Sequence, residues 1–121
     1  MPDRTLDRAA LTVLLDTVGG DREFLGELIE TYLADSPALF VELHAGLASG
    51  DATAVRRAAH TLKSTSATFG ATRLAEIAKE IETAAAAGDL TGLGPRVEAA
   101  QAEFDAVGVE LQAVAAEGVG P

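Results

Sequence analysis

The stretch Arg56–Gly70, which reads RRAAHTLKSTSATFG, predicts an amphipathic helix that ends at a glycine. Leu62 follows Ala58 by four residues, which is the spacing of one apolar helix face. Because Asp51 is a good N-cap, we expect the helix to span Ala52–Phe69. Its predicted core residues are Val55, Ala58, Leu62 and Phe69, with Thr65 or Ser66 completing the stripe.

Glycine and aspartate divide the rest of the chain into segments with the same helical period. Asp21 and Asp51 are predicted N-caps, and Gly50 and Gly70 are predicted helix ends. The pair Ser36-Pro37 interrupts the second segment, but the apolar stripe keeps its phase across it. This continuity favours one long kinked helix over two separate helices. The predicted helices span about 5–17, 23–47, 52–69 and 71–87, and a last one begins at Pro95.

No segment shows the alternating pattern of a half-buried strand. We therefore predict an all-α protein, an antiparallel four-helix bundle with a short additional N-terminal helix. That helix, about 5–17, would cover one end of the bundle, about 21–117, and residues 118–121 would form a frayed tail. The chain 1–121 is expected to be a single domain.

Composition argues against several classes of function. The net charge is −10, and phosphates would be repelled by it, so we expect no nucleic-acid binding. The chain has no cysteine, which excludes disulfides and thiolate metal sites. No stretch approaches the ~18 apolar residues of a membrane span, and the N-terminus lacks the apolar core of a secretory signal. We expect a cytoplasmic protein that does not bind membranes.

A basic segment interrupts this acidic composition. Five of the nine lysines and arginines lie between positions 56 and 79, where Glu76 is the only acidic residue. At about 100° per residue, His60 lies about 160° from both Ala58 and Leu62, so it points away from the core. The exposed face of this helix therefore carries Arg56, Arg57, His60, Lys63, Ser64 and Ala67.

This exposed face suits phosphoryl transfer to a histidine. An unprotonated imidazole is a competent nucleophile near neutral pH. Lys63, one turn after His60, would neutralise a phosphoryl group, and the two arginines would attract an acidic partner. The small residues Ser64 and Ala67 would let a second protein approach the ring. The same pattern also fits a solvated histidine on a charged surface, and the spacing alone does not separate the two interpretations.

Other chemistries are not supported by the sequence. His44 is the only other histidine, and no HxxxH or HExxH pattern occurs, so we predict no metal site. His44 adjoins Phe40 and Leu47 on its helix and is interpreted as a half-buried packing residue. Ser64 and Ser66 lie inside a helix without the nucleophile elbow of hydrolases. The chain has no Walker loop and no glycine-rich nucleotide lid, so we predict no ATP-dependent kinase activity.

The segment 58–82, AAHTLKSTSATFGATRLAEIAKEIE, resembles the signature of histidine-containing phosphotransfer (HPt) domains. In that family an Ala-His-x-Leu-Lys-Gly-Ser pattern is followed by a Gly-Ala break and a leucine-rich helix that ends near Leu-Glu. The preceding segment 24–60 is also similar to the family, so the resemblance covers roughly residues 20 to 115. The positions in register are Ala59, His60, Leu62, Lys63, Gly70, Ala71, Leu74 and Glu82.

The resemblance implies a phosphorelay intermediate. His60 would accept a phosphoryl group from the phospho-aspartate of one receiver domain and pass it to an aspartate of another. Lys63 matches the lysine that lies beside the phosphoryl group, and Glu82 matches a polar residue that orients the imidazole. Mg²⁺ would belong to the receiver, and this protein would need no cofactor of its own. Access favours transfer through the outward nitrogen, Nε2, and we expect a monomer.

One position departs from the family pattern, because the glycine after the lysine is Ser64 here. Ser64 lies about 40° from His60 around the helix axis. Its hydroxyl would either hydrogen-bond a phosphoryl oxygen or crowd the docking of a receiver, and we predict that transfer is retained. The alternative function is a non-phosphorylated helical adaptor that binds a receiver or a kinase through the same basic face.

Overall fold

Five α-helices make up the part of the chain that the computed structural model describes, residues 6–118. Within that range there is no strand, and no helix is both long and apolar enough to cross a membrane. The all-α prediction is therefore confirmed. The helices are α1 (Arg8–Thr17), α2 (Arg22–Ser49), α3 (Ala52–Thr68), α4 (Thr72–Ala86) and α5 (Leu93–Glu117).

Helices α2 to α5 form a ring in which α3 and α5 each pack against both α2 and α4. The α2–α3 and α3–α4 turns are so short that the helices they join run antiparallel. This arrangement is the predicted four-helix bundle, and α1 is the additional helix. The centre of the core is formed by large side chains that solvent does not reach, among them Ile29, Leu43, Leu62, Leu74, Ile81 and Leu111.

The predicted caps fix where α2 and α3 begin. The side chains of Asp21 and Asp51 each accept a hydrogen bond at 3.0 Å, from the backbone N–H of Phe24 and Ala54 respectively. Each bond satisfies one of the N–H groups that a helix start leaves without a partner. Gly50 ends α2 in the left-handed conformation, with φ 71°.

Helix α2 continues through Pro37, which confirms one helix rather than two. Proline has no N–H to donate to the preceding turn. The hydroxyl of Ser36 donates to the carbonyl of Tyr32 at 2.6 Å, inside the core. The continuous helix keeps the apolar stripe of α2 in one phase, so that both halves of α2 contribute buried residues.

Helix α1 covers the end of the bundle at the α3–α4 turn. It begins at Arg8 rather than near residue 5, because Asp7 is its N-cap and accepts a hydrogen bond from the N–H of Ala9. The N–H of Asp7 also donates to the carbonyl of Gly70 at 2.7 Å. Gly70 has φ +76°, and a Cβ there would lie 2.5 Å from the carbonyl oxygen of Asp7. Glycine is therefore required both by the turn and by the close approach of α1.

The last helix begins earlier than predicted. Helix α5 starts at Leu93 instead of Pro95, after Gly92 in the left-handed conformation. Pro95 lies in the first turn, where its missing N–H has no helical partner to lose. Gly118, assigned above to a frayed tail, donates its N–H to Val114 at 2.7 Å. Residues 119–121 of that predicted tail lie outside the described part of the chain.

The connection between α4 and α5, residues 87–92, lies mostly in solvent. It has its own local hydrogen bond, from the N–H of Thr91 to the side chain of Asp89 at 3.0 Å. Nothing lies within 4 Å of where a Cβ would stand at Gly88. The connection therefore joins two helices of the core, and only Leu90, which is partly buried, packs against that core.

Candidate functional site

The outward face of α3 has the composition that the helical angles predict. Arg56, Arg57, Ser64 and Ala67 are exposed, and the side chain of His60 is 60% exposed. The opposite face of the same helix holds the buried stripe Val55, Ala58, Leu62 and Ser66, so Ser66 rather than Thr65 completes it. A histidine at this place is held by the rigid backbone of a helix and is open to another protein.

Helix α4 contributes a carboxylate to this face. The antiparallel turn at Gly70 brings Glu82 beside His60, with the carboxylate Oε2 2.7 Å from the imidazole Nδ1. A carboxylate accepts hydrogen bonds, so Nδ1 carries the hydrogen in this contact. In neutral imidazole the other nitrogen, Nε2, then holds the lone pair. His60 Nε2 makes no hydrogen bond with residues 6–118.

The second oxygen of the same carboxylate binds a lysine. Lys63 Nζ donates to Glu82 Oε1 at 2.7 Å, and the side chains of Lys63 and Glu82 are 31% and 19% exposed. The hydrogen bond from Lys63, and after it the one from His60, lowers the pKa of the Glu82 carboxyl, although partial burial acts the other way. Glu82 is therefore held as an anion between two cationic or polar donors, and it fixes the positions of both.

The residues predicted to contact a partner lie around this network without joining it. Ser64 follows His60 by one turn, and its hydroxyl makes no hydrogen bond within the described residues. Ala67 lies one turn further along the same exposed face. On the α2 side, an apolar groove begins beside Thr61, next to His60, and is lined by Leu28, Leu39, Tyr32 and Phe69.

The interpretation of His44 as a half-buried packing residue is wrong. His44 is exposed, and its Nε2 lies 3.1 Å from Oε1 of Gln101 on α5. Leu43, the neighbouring residue, takes the place in the core instead. His44 thus lies on the α2–α5 side of the bundle, while His60 lies on the α3–α4 side. Within the described residues, no cluster of histidine, aspartate and glutamate has the arrangement of a metal site.

A buried polar pair was not foreseen from the sequence. The hydroxyls of Tyr32 and Ser66 lie 2.8 Å apart, and both residues are buried. Burial raises the pKa of Tyr32 to about 12, because the phenolate would be poorly solvated there. Ser66 gave the only signal, since it occupies an apolar step of the α3 stripe where a polar atom needs a partner. The Tyr32 ring also stacks on Phe69, with ring centres 4.7 Å apart.

Comparison with known proteins identifies relatives of the whole bundle. The model of the Hpt domain family matches residues 27–116. The histidine-containing phosphotransfer protein B of Pseudomonas aeruginosa PAO1 has a similar structure, with 31% identity and a TM-score of 0.85, over 94% of this chain and 96% of that chain. The Hpt domain of a sensor hybrid histidine kinase from Shewanella shares the fold, with 18% identity and a TM-score of 0.73, over 93% and 95% of the two chains. No curated protein sequence matches.

Proposed function

This chain belongs to the Hpt domain family, and from that premise we propose that it carries a phosphoryl group on His60 between two receiver domains. The family consists of phosphocarrier modules of phosphorelays rather than kinases. The observation that supports the proposal most is the His60–Glu82 hydrogen bond, because in the neutral imidazole it places the hydrogen on Nδ1 and the lone pair on Nε2. A nucleophile held in this way needs no base to remove a proton before it attacks.

With this tautomer, the phosphoryl group can be transferred to His60 without removal of a proton. The lone pair of His60 Nε2 attacks phosphorus, the P–O bond to the receiver's aspartate breaks, and that aspartate leaves as a carboxylate. The imidazole keeps its Nδ1 hydrogen and gains a positive charge. The Glu82 carboxylate, 2.7 Å away, stabilises that charge. The reverse step delivers the group to an aspartate of the second receiver.

The charges around His60 suit an acidic partner. Lys63 supplies a cation one turn from His60, and the exposed Arg56 and Arg57 extend the positive surface toward the start of α3. In a chain with a net charge of −10, this surface would orient the approach of a receiver's acidic phosphorylation site. Mg²⁺ would be held by the receiver and not by this chain. Because Ser64 and Ala67 are small, the partner can reach the ring.

The apolar groove beside Thr61 gives the partner a place to dock. Its lining by Leu28, Leu39 and Phe69 offers apolar area on the α2 side of the histidine, and the exposed Arg56 and Arg57 offer positive charge nearer the start of α3. Such a combination of an apolar patch and a charged rim is common in transient interfaces. We propose that the protein is a cytoplasmic monomer that binds one receiver domain at a time.

Phosphotransfer from a receiver domain charged with acetyl phosphate tests the proposal. Wild type should acquire a label that is acid-labile and base-stable, and His60→Gln should acquire none. The matched control is His44→Gln, which removes the other exposed histidine and should be labelled like wild type. Label on His60→Gln would refute the assignment. Binding of receivers without any label would instead favour the non-phosphorylated adaptor.

A further inference from the structure

We infer that Glu82 binds the Lys63 ammonium in the unphosphorylated protein and loses this contact when His60 is phosphorylated. The Glu82–Lys63 ion pair would thereby weaken retention of the phosphoryl group. The inference rests on the proposed function, because it concerns the same histidine. It starts from the fact that one carboxylate makes both contacts. Glu82 Oε2 lies 2.7 Å from His60 Nδ1, and Oε1 lies 2.7 Å from Lys63 Nζ.

Lys63 has a choice of two positions. It lies one turn after His60 on α3, and its flexible four-carbon stem lets the ammonium reach along either edge of the ring. In the unphosphorylated protein the ammonium is bound to Glu82, which lies on the Nδ1 edge. A phosphoryl group on Nε2 would place about two negative charges on the opposite edge. The ammonium is attracted there, so its contact with Glu82 lengthens or breaks.

This change of partner has a thermodynamic consequence. A contact that exists in one state and is lost in the other shifts the equilibrium toward the state that has it. The Glu82–Lys63 pair belongs to the unphosphorylated state, and with side chains 19% and 31% exposed it is only partly screened by water. Lys63 therefore stabilises phosphorylated His60 less than an unpaired lysine would. Such a site gives up its phosphoryl group more readily to the next aspartate.

A single substitution of Glu82 would not isolate this effect. The carboxylate also stabilises the positive charge on the phosphorylated ring, which acts in the opposite direction. A double-mutant cycle separates the two, because only the part that depends on Lys63 appears as coupling. Glu82→Gln keeps an oxygen that accepts from Nδ1 and removes the charge that binds Lys63. Lys63→Met removes the ammonium while keeping a long side chain.

Phosphoramidate is the probe, because it needs no protein partner. Its P–N bond breaks, ammonia leaves, and the phosphoryl group bonds to His60 Nε2. The equilibrium constant is measured by ³¹P NMR at fixed pH and ammonia concentration in wild type, both single variants and the double variant. Lys63→Met should lower the constant in wild type. In the Glu82→Gln background, where Lys63 binds only the phosphoryl group, Lys63→Met should lower the equilibrium constant by a factor that is roughly threefold to tenfold larger.

The controls keep the outcomes distinct. Glu80→Gln removes the carboxylate of the exposed Arg96–Glu80 pair, which links α4 to α5, and should leave the constant unchanged. ¹⁵N NMR of the imidazole should show the Nδ1–H form in Glu82→Gln as in wild type. An equal or smaller effect of Lys63→Met in the Glu82→Gln background would overturn the inference. Failure of wild-type His60 to accept phosphate from phosphoramidate and from receivers would refute the proposed function itself.

Discussion

Both faces of α3 make polar contacts to a neighbouring helix, and one contact from each face can be compared in its surroundings. On the inner face, the hydroxyl of Ser66 lies 2.8 Å from that of Tyr32 on α2, and both residues are buried. On the outer face, His60 Nδ1 lies 2.7 Å from the carboxylate of Glu82 on α4, and His60 is 60% exposed. The two contacts have nearly the same length, so length alone does not tell what each one does.

The difference lies in what each contact leaves unused. The inner pair is uncharged, because burial of a charge would be costly. Its two hydroxyls bond to each other, so the pair contributes only to the stability of the fold. The outer contact joins charged or ionisable groups and leaves His60 Nε2 without a partner in the described residues. Under the proposed function, one helix thus separates stability from reactivity by the direction in which its side chains point. The following predictions test how complete that separation is.

The largest effect on stability is expected on the inner face. Leu62→Ala removes a side chain that solvent does not reach and leaves a cavity, so the free energy of unfolding should fall by about 2–5 kcal/mol. Arg57→Ala, on the exposed face, is the control and should change it by less than about 0.5 kcal/mol. Urea titration measures both. If the folded Leu62→Ala protein accepted phosphate much more slowly, the two faces would not be independent.

The next effect concerns the outer face. Glu82→Ala removes the carboxylate that bonds to His60 Nδ1, and under the proposed function the rate of phosphotransfer should fall by roughly tenfold to a hundredfold because Nε2 is no longer held in place. Stopped-flow or rapid-quench transfer from a receiver measures the rate, and ¹⁵N NMR follows the tautomer. Glu82→Gln should keep most of the Nδ1–H form and so lose less. An unchanged tautomer in Glu82→Ala would show that Glu82 does not position the ring.

A smaller effect is expected for the inner polar pair. Tyr32→Phe leaves the buried hydroxyl of Ser66 without its partner and should cost about 1–2 kcal/mol of unfolding free energy near pH 7. The pKa of Tyr32 is raised from 10.0 to about 12, so the folded state favours the neutral form. Its contribution is fully present below pH 10 and is lost as the pH rises toward 12.

Titration of the phenol checks this pH dependence directly. Tyr32 is the only tyrosine of the chain, so tyrosinate absorbance reports on it alone. The stability advantage of wild type over Tyr32→Phe, measured by urea titration, should shrink as the pH rises above 10. Ionisation of Tyr32 in the folded protein at its ordinary value of 10.0 would show that its burial is not maintained in solution.

The smallest effect is expected for the outer ion pair in acid. The pKa of the Glu82 carboxyl is lowered, mainly by Lys63 and then by His60. The ionised carboxylate therefore stabilises the fold at pH values above 4.5, the ordinary pKa of glutamate. That stabilisation is lost as the pH falls through the lowered value. Glu82→Gln should therefore flatten the acid side of the stability profile, by less than about 1 kcal/mol. The same substitution in a Lys63→Met background should flatten it less.

Angles and caps explain which features of this protein the sequence could predict. The outward direction of His60 follows from the buried positions of Leu62 and Ala58 alone, because a helix fixes the angles between these side chains. The starts of α2 and α3 follow from Asp21 and Asp51. The place of Glu82 beside His60 could be suggested only through the family resemblance, because it depends on the relative rotation of α3 and α4.

Contacts between helices explain what the sequence could not give. The Glu82–Lys63 bond and the Tyr32–Ser66 pair each need the register of two helices, which no single helical period contains. His44 was misjudged for a related reason, since it borders the apolar stripe and only the position of α5 decides whether it is covered. Helix α5 starts at Leu93 because Gly92 adopts a left-handed conformation there, whereas proline gave the more visible signal.

The exposed connection between α4 and α5 has a consequence for protein engineering. His60, Lys63 and Glu82 all lie inside helices, whereas residues 87–92 contribute nothing to that network and little to the core. Extra sequence at an exposed loop tip is tolerated far better than in a helix. An inserted peptide tag or a fluorescent domain after Gly88 would therefore leave His60 where it is. The bundle can therefore accept an added module at this one connection without a change in the helices that carry His60, Lys63 and Glu82.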